Sequence, residues 1–315
     1  MAKKQKKAIL FSGRATRYLA EKIAENYGEE LGKMEVTEFA DGEFRTAFED
    51  NIRGKDVFLI QSTFSPSDNL FELLMMADAA KRASARKIVA VIPYFGFARQ
   101  DRKDKPRVPI TAKLIAKLLV EAGIKRLVTI DLHADQIQGF FDIPVDHLYA
   151  SSIFIPHLRT MNLENVVLAS PDTGGTRRAA SYAKKIKTDF VICYKQRSVA
   201  NVVDTMKLIG NVEGKDVILL DDIVDTAGSI TKAAELMIDN GAKSVRAFIT
   251  HPVLSRDAVE KIRKSVFVEF FVTDTIPLSE KALECDKIKV LSTAPLFAEV
   301  INRVMKAQSI TGLFR

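Results

Sequence analysis

The chain reads as an α/β protein of two similar domains, each a mainly parallel sheet flanked by helices. Three observations carry that reading. Short apolar runs alternate with amphipathic stretches along the whole sequence, and such alternation lays strands side by side with helices on their faces. The runs are rich in Val, Ile and Phe and nearly unbroken, as strands buried on both faces must be. The length of 315 residues suits two domains, at the usual ~150 residues each. The pattern starts afresh near residue 150, which divides the chain into domains 1–150 and 151–315.

In the first half, KAILFSG (7–13), DVFLIQST (56–63), KIVAVIPYF (87–95) and RLVTIDLH (126–133) read as strands. Between them RYLAEKIAENYG (17–28), NLFELLMMADAAKRAS (69–84) and TAKLIAKLLVEAG (111–123) have helical spacing. Gly28 and Gly123 stand where helices end in a left-handed cap. In the second half NVVLASPD (165–172), DFVICYK (189–195), KDVILLDD (215–222), SVRAFITH (244–251), FVEFFVTD (267–274) and KIKVLS (288–293) are strand-like. SITKAAELMIDNGA (229–242) is the clearest helix there.

The formal net charge of +7 favours anionic partners. It does not choose among nucleotides, sugar phosphates and nucleic acid. Part of it is the stretch KKQKK (Lys3 to Lys7), expected to be a solvated end. No long apolar segment follows, so neither a signal peptide nor a membrane anchor is expected. Two cysteines, Cys193 and Cys285, make no disulfide framework and fit a reducing cytoplasm. Cys193 lies in an apolar run and reads as core.

In open α/β sheets ligands sit beyond the carboxyl ends of the strands. The polar endings here are DLHAD (131–135), SPDTGG (170–175), YKQR (194–197) and LLDDIVDTAGS (219–229). In the last, strand Val217–Leu220 is expected to deliver Asp221 and Asp222 to the sheet's edge. Asp225-Thr226-Ala227-Gly228-Ser229 then turns into a helix. A turn of small residues exposes successive N–H groups, and a helix N-terminus adds a positive dipole, so the turn is a phosphate cradle. Adjacent carboxylates need sugar hydroxyls or a divalent metal as partners. Phosphate, diol and metal together describe a ribose phosphate. A plain helix cap from Asp225 or Ser229 explains one such residue but not the carboxylate pair.

SPDTGGTRR (170–178) is a second strand-end turn, read either as a metal-bridged phosphate site or as a left-handed turn. His133 is either structural or, with Asp172, a cation ligand. ARQDRKDKPR (98–107) is a solvated basic loop or, through Arg99 and Gln100, a hold on polyphosphate or adenine. Lys195 and Arg197 alternate and would point the same way in extended chain, either as an exposed hairpin or as a mobile lid over a phosphoryl group. No Walker A loop, G-x-G-x-x-G or H-E-x-x-H occurs.

These stretches resemble the ribose-phosphate diphosphokinase family (phosphoribosyl pyrophosphate synthases) of the phosphate-activated class. The likeness runs from FSGRATRYLAEKIA (11–24) to the carboxyl-terminal tail. It includes TEFADGEF (37–44), NIRGKDVFLIQST (51–63), VIPYFGFARQDRK (91–103) and the long, specific TIDLHADQIQGFFDIPVDHLYA (129–150). The resemblance implies two phosphoribosyltransferase-like domains, with about the last 15 residues packed back on the first. It implies transfer of the diphosphoryl group of ATP to the 1-hydroxyl of ribose 5-phosphate, giving AMP and 5-phosphoribosyl 1-diphosphate for nucleotide biosynthesis.

It also implies roles. Asp225, Thr226, Ala227, Gly228 and Ser229 would cradle the 5-phosphate, with Asp221 and Asp222 on the ribose hydroxyls. Arg99 and Gln100 would contact ATP. Phe39, Asp41, Gly42 and Glu43 would receive adenine from a neighbouring subunit, in a hexamer built from dimers with shared active sites. His133, which also binds ATP, and Asp172 would organise Mg²⁺. Lys195 and Arg197 would stabilise the transition state, Arg197 also touching ribose 5-phosphate. Ser309 and Thr311 in SITGLF (309–314), with Arg53 and Ser84, would join an interface site for activating phosphate and inhibitory ADP. Neither nucleic acid nor membrane is an expected partner. Two departures stand out: Tyr194-Lys195-Gln196-Arg197 replaces the family's Asp-Lys-Arg-Arg, and threonines flank Gly174-Gly175. A non-catalytic regulatory homologue should lose metal or lid residues, which are present. A phosphoribosyltransferase would share only residues 217–230.

Overall fold

The computed structural model describes residues 7–161, 165–196 and 205–314. They form two compact units: residues up to Tyr149 with Thr275–Pro277 and Thr293 onward, and Ala150–Asp274 with Leu278–Ser292.

The first unit runs β1 (Ile9–Ser12), α1 (Arg17–Tyr27), β2 (Met34–Glu38), β3 (Phe44–Phe48), β4 (Asp56–Ile60), α2 (Asp68–Arg82), β5 (Lys87–Ile92), α3 (Thr111–Ala122), β6 (Arg126–Ile130) and β7 (Val145–Leu148). Its sheet has the order β1-β4-β5-β6-β7, every pair parallel. Val57, Phe58, Leu59 and Ile60 are all fully buried, which is why β4 reads as an unbroken apolar run rather than an alternating one. Gly28 and Gly123 close α1 and α3 at φ of 81° and 116°, as their places in the sequence predict.

The second unit runs α4 (Ser151–Thr160), β8 (Val166–Ser170), α5 (Thr176–Ile186), β9 (Phe190–Gln196), β10 (Thr205–Ile209), β11 (Asp216–Val224), α6 (Gly228–Asp239), β12 (Ser244–Pro252), α7 (Ala258–Lys264), β13 (Phe267–Thr273), α8 (Glu280–Leu283) and β14 (Ile288–Leu291). The chain then returns to the first unit as α9 (Ala294–Met305), which packs on α1. The second sheet has the order β10-β9-β8-β11-β12-β13-β14 and is parallel except for the β9–β10 hairpin. Its core lies around Val217, Leu219, Ala247, Ile249 and Phe270, and Cys193 is buried in it.

Several elements escape the sequence reading. β2 and β3 pair as an antiparallel hairpin, half-buried at best, so neither shows an apolar run. β7 hides behind Asp146 and His147, whose polarity is internally matched: Arg126 donates to Asp146 at 2.6 Å, and His147 Nε2 accepts the Leu132 N–H at 2.9 Å. α4 contains Pro156, and α5 is strongly basic.

Gly96, just beyond β5, has the narrowest clearance near a strand-end loop of the site. A Cβ there would stand 2.0 Å from the carbonyl oxygen of Thr63. Backbone cannot yield as a flexible side-chain end can. Gly96→Ala is therefore expected to destabilise the protein by about 2 kcal/mol or more, read as a fall in the urea midpoint; an unchanged midpoint would contradict the packing.

Candidate active site

The second unit places its polar loops by a difference in strand length. β8 is the sheet's turning point: the chain proceeds from it to β9 and β10 on one side, and to β11, β12, β13 and β14 on the other. Such a reversal leaves a crevice beyond the carboxyl ends of the two central strands. β11 pairs with β8 only from Asp216 to Leu219, but with β12 as far as Val224. Asp221 and Asp222 therefore stand inside β11, not past its end as the sequence suggests. β12 is equally long, and its ladder holds them extended. Their exposed flank is the β8 side, where Ser170–Gly175 turns into α5.

That turn is set by close approach rather than by left-handed backbone. Gly175 has φ of −79°. A Cβ there would meet Ser170 Oγ at 2.5 Å, and the Gly175 N–H donates to Asp172 Oδ1 at 3.1 Å. Asp172 is thus fixed by its own loop. Arg178, one turn into α5, does not face outward toward a phosphate. It donates to Asp222 Oδ1 at 3.0 Å and more distantly to Asp221 Oδ1 at 3.4 Å. One guanidinium balances two carboxylates. Asp221 keeps 23% of its side chain exposed and Asp222 only 7%. Burial, and then the adjacent charge of Asp222, push the Asp221 carboxyl well above the ordinary carboxylate range, against the pull of Arg178. Asp172 adds to the push. The cluster is one that a cation or hydroxyl donors would relieve.

Beyond β11, Asp225, Thr226 and Ala227 lead into α6. Ala227 holds φ of 59° at the cap position and offers no side-chain acceptor to the first turn. Neither Asp225 nor Ser229 stands at that position. The turn is held from outside: Ser255 donates its N–H to Asp225 O at 2.9 Å and its hydroxyl to Asp225 Oδ1. Lys261 Nζ donates to Thr226 O at 3.3 Å. Gly228 opens the helix and Ser229 is exposed in its first turn. A first turn without a side-chain cap is an anion cradle.

In the first unit, Arg99 and Gln100 follow β5 and His133 follows the neighbouring β6, all three exposed. Gln100 is pinned at the start of α3, where its Oε1 accepts from Thr111 Oγ1 at 2.6 Å. Gln136 Nε2 donates to Asp101 Oδ2 at 2.9 Å and ties the two loops together. Phe39, Asp41, Gly42 and Glu43 form the tip of the β2–β3 hairpin. Asp41 Oδ1 accepts the Glu43 N–H at 3.1 Å, Gly42 takes φ of 91°, and Phe39 stays 45% exposed. Arg14 braces the hairpin just below its tip: it donates to the buried Glu72 at 2.9 Å, pairs with Glu38 and lies over the Phe44 ring.

Lys195 lies in β9 with its backbone in register with Met206; Arg197 lies outside the described residues. The regulatory candidates fall into two pairs. Gly54, beside Arg53, donates its N–H to Ser84 O at 2.9 Å, and Ser84 takes φ of 59°. The Thr311 N–H donates to Ser309 Oγ at 3.2 Å. Among the described residues no hydrogen bond joins one pair to the other. Nor does any group of three or more His, Cys, Asp and Glu side chains there form a metal cage. Ser255, Lys261 and Arg14 were not legible as site residues, and Arg178 was read within SPDTGGTRR with a phosphate rather than the aspartates as its partner. Each acts on a partner 24 or more positions away.

Two α/β units with polar loops gathered at the carboxyl ends of parallel strands define a ligand-binding α/β enzyme. Residues 8–123 match the family model described as the N-terminal domain of ribose phosphate pyrophosphokinase, and residues 197–315 match the phosphoribosyl synthetase-associated domain. A ribose-phosphate pyrophosphokinase of Porphyromonas gingivalis is 60% identical over 306 residues, 97% of either chain. One of Ralstonia nicotianae is 50% identical over 97% of this chain and 98% of its own. The crystal structure of phosphoribosylpyrophosphate synthetase from Mycobacterium smegmatis superposes with a TM-score of 0.91 at 39% identity, covering 96% of this chain and 100% of that one. The chain belongs to the ribose-phosphate pyrophosphokinase family.

The raised Asp221 pKa has a sign that can be checked without substrate. A carboxyl raised by folding stabilises the fold while protonated, and that contribution is lost as pH rises through the raised value. Over the pH range that starts at the ordinary carboxylate value of about 4 and extends upward, wild type should therefore lose stability relative to Asp221→Asn. Melting temperatures of the two proteins across that range test it; a constant gap would mean the carboxyl is not strained by folding.

Proposed function

We infer that the chain transfers the diphosphoryl group of ATP to the 1-hydroxyl of ribose 5-phosphate, giving AMP and 5-phosphoribosyl 1-diphosphate. The single observation carrying it is the crevice between β8 and β11, in a chain that matches pyrophosphokinases along nearly its whole length. There the start of α6 lies a few residues beyond two carboxylates that share one guanidinium. Asp225 to Ser229 would hold the 5-phosphate through N–H groups and hydroxyls. Asp221 and Asp222 would accept from the ribose hydroxyls, which then stand where the neighbouring crevice opens.

The reaction forms a bond from the sugar's O1 to the β-phosphorus and breaks the bond from the β-phosphorus to the bridging oxygen of AMP. The hydroxyl proton is released. Such in-line transfer needs alignment and charge neutralisation rather than a protein nucleophile. Lys195, in β9, and Arg197 would meet the charge that spreads in the transition state. Arg99, Gln100 and His133 would bind ATP on the first unit. Mg²⁺ commonly takes one or two protein ligands and fills its shell with water and phosphate oxygens. The Asp172 carboxylate, held by the Gly175 N–H, is an oxygen ligand of that kind, and His133 is the second residue proposed to organise the ion. Mg²⁺ would neutralise the polyphosphate and favour departure of AMP.

The exposed hairpin tip supports adenine binding in trans: Phe39 is an uncovered ring beside Asp41 and Glu43, with Arg45 lying over it at 5.7 Å. The reading is then of a hexamer built from dimers, with sites shared between subunits. Arg53 and Ser84, with Ser309 and Thr311, are the proposed site of phosphate activation, which would place the chain in the phosphate-activated class. Cytoplasmic residence belongs to the same proposal; no described helix is long and apolar enough to cross a membrane.

Incubation with Mg-ATP, ribose 5-phosphate and phosphate should give AMP one-for-one with a diphosphorylated ribose, and ADP as the main nucleotide would overturn the reading. Lys195→Ala should lower kcat by about a hundredfold or more. Glu43→Ala and Lys195→Ala subunits, allowed to exchange, should recover activity when mixed; no recovery would argue against a site shared in trans.

A further inference from the structure

His147 has no place in the chemistry above, yet it holds the loop that presents His133. We propose that His147 is a positioning residue for the nucleotide loop, acting through the backbone of Leu132. It sits on β7, which pairs in parallel with β6, and Ile130 faces Leu148 across the ladder. Beyond that pair the chain of β6 must leave the sheet. Asp131 donates its N–H to Leu148 O at 3.0 Å and takes φ of 40°, a left-handed conformation that a non-glycine residue adopts only when its surroundings impose it. Leu132 is buried, so its N–H cannot turn to water. It donates instead to His147 Nε2 at 2.9 Å.

That bond fixes both partners. Nε2 accepts, so the ring proton is assigned to Nδ1. Nδ1 stands 3.1 Å from Gln138 Nε2, itself a donor to the Asp135 carbonyl, and 3.6 Å from Asp135 Oδ1, the acceptor that its proton faces. One face of the ring lies against Tyr149, centroids 4.6 Å apart, and Phe314 stands edge-on to Tyr149 at 5.6 Å. The imidazole side chain is only 2% exposed. It therefore bridges the strained exit from β6 on one side and the 3₁₀ turn Asp135–Phe140 on the other. His133 projects from the segment between those two anchors. Without an acceptor at Nε2, a buried N–H is left unpaired beside a strained residue, and the cheapest relief is to let residues 131–135 move. His133 then no longer stands ready for ATP. The inference rests on His133 as a nucleotide contact; the hold of His147 on Leu132 does not.

Two substitutions separate positioning from packing. Gln places an oxygen about where Nε2 stands, while Phe fills the same space with no acceptor. His147→Phe should raise the KM for ATP about tenfold with a much smaller change in kcat and in the KM for ribose 5-phosphate. His147→Gln should restore both toward wild type. Hydrogen exchange at the Leu132 amide, read without substrate, should be fast in His147→Phe and protected in wild type and in His147→Gln. Equal protection in all three proteins would overturn the proposal. So would matched losses in the Gln and Phe variants, which would make the residue a space-filler. If the Phe variant does not fold, exchange in the Gln variant still decides: loss of protection with an oxygen in place would rule out the acceptor role. Failure of the His133 assignment looks different. His133→Ala would then leave the KM for ATP unchanged, while the exchange pattern at Leu132 still reported on His147.

Discussion

The second unit depends on β11 continuing after β8 has stopped. In a parallel sheet a central strand normally satisfies both edges, and an unpaired edge in the interior is costly. Here the β12 edge stays paired to Val224, while the β8 edge opens after Leu219. Everything functional in the unit borrows from that opening. It gives the Asp172 turn room to bend inward, exposes one flank of Asp221, and delivers the chain to α6 through Ala227, a left-handed residue whose own side chain cannot cap the first turn. Shortening β12 would close the crevice as surely as lengthening β8, because β12 alone keeps residues 221–224 extended.

Charge in that crevice is deliberately incomplete. Asp222 is buried deeply enough to require Arg178, and Arg178 is then committed. Asp221, with the longer contact to the same guanidinium, is left with surplus negative charge and with Asp172 nearby. Had Arg178 served a ligand phosphate, as its place after the Asp172 turn suggests, Asp222 would be a buried carboxylate without a cation. The two demands compete for one side chain, and burial decides the outcome. What remains for a ligand is a set of acceptors beside an array of N–H donors, the two halves of a phosphorylated sugar's chemistry.

Most strands of both sheets were legible because each reads as a nearly unbroken apolar run; β7 and β10 were not. The caps at Gly28 and Gly123 were legible because only glycine takes that conformation without cost. The strand-end loops were legible as loops and as chemistry. Their supports were not. β2 and β3 carry too little buried surface to show a pattern, and β7 contains two polar residues whose partners, Arg126 and Leu132, lie on or beyond the adjacent strand. Ser255 gives no local sign that it grips Asp225 from the end of β12. Local pattern reports what each residue does to its own segment. It is silent on residues whose work is done on another.

The supports also differ between the units in a way that follows from what each must hold. The sugar-phosphate loop is fastened through backbone: Ser255 to Asp225, Lys261 to the Thr226 carbonyl. Backbone fastening suits a ligand gripped by N–H groups, because any drift of the main chain displaces the donors themselves. On the first unit the proposed nucleotide contacts are exposed side chains, Arg99, Gln100 and His133. Their loops are held by other residues: Gln100 at its amide oxygen by Thr111, the Asp101 loop by Gln136, and the His133 segment by His147. Loops ordered in advance keep their ordering entropy out of the binding step. The hairpin tip is braced in a similar way, with Arg14 on the pair of strand residues just below it and Phe39 45% exposed at its end. An exposed ring on a braced hairpin gains by being covered, which is what the proposed adenine contact would do.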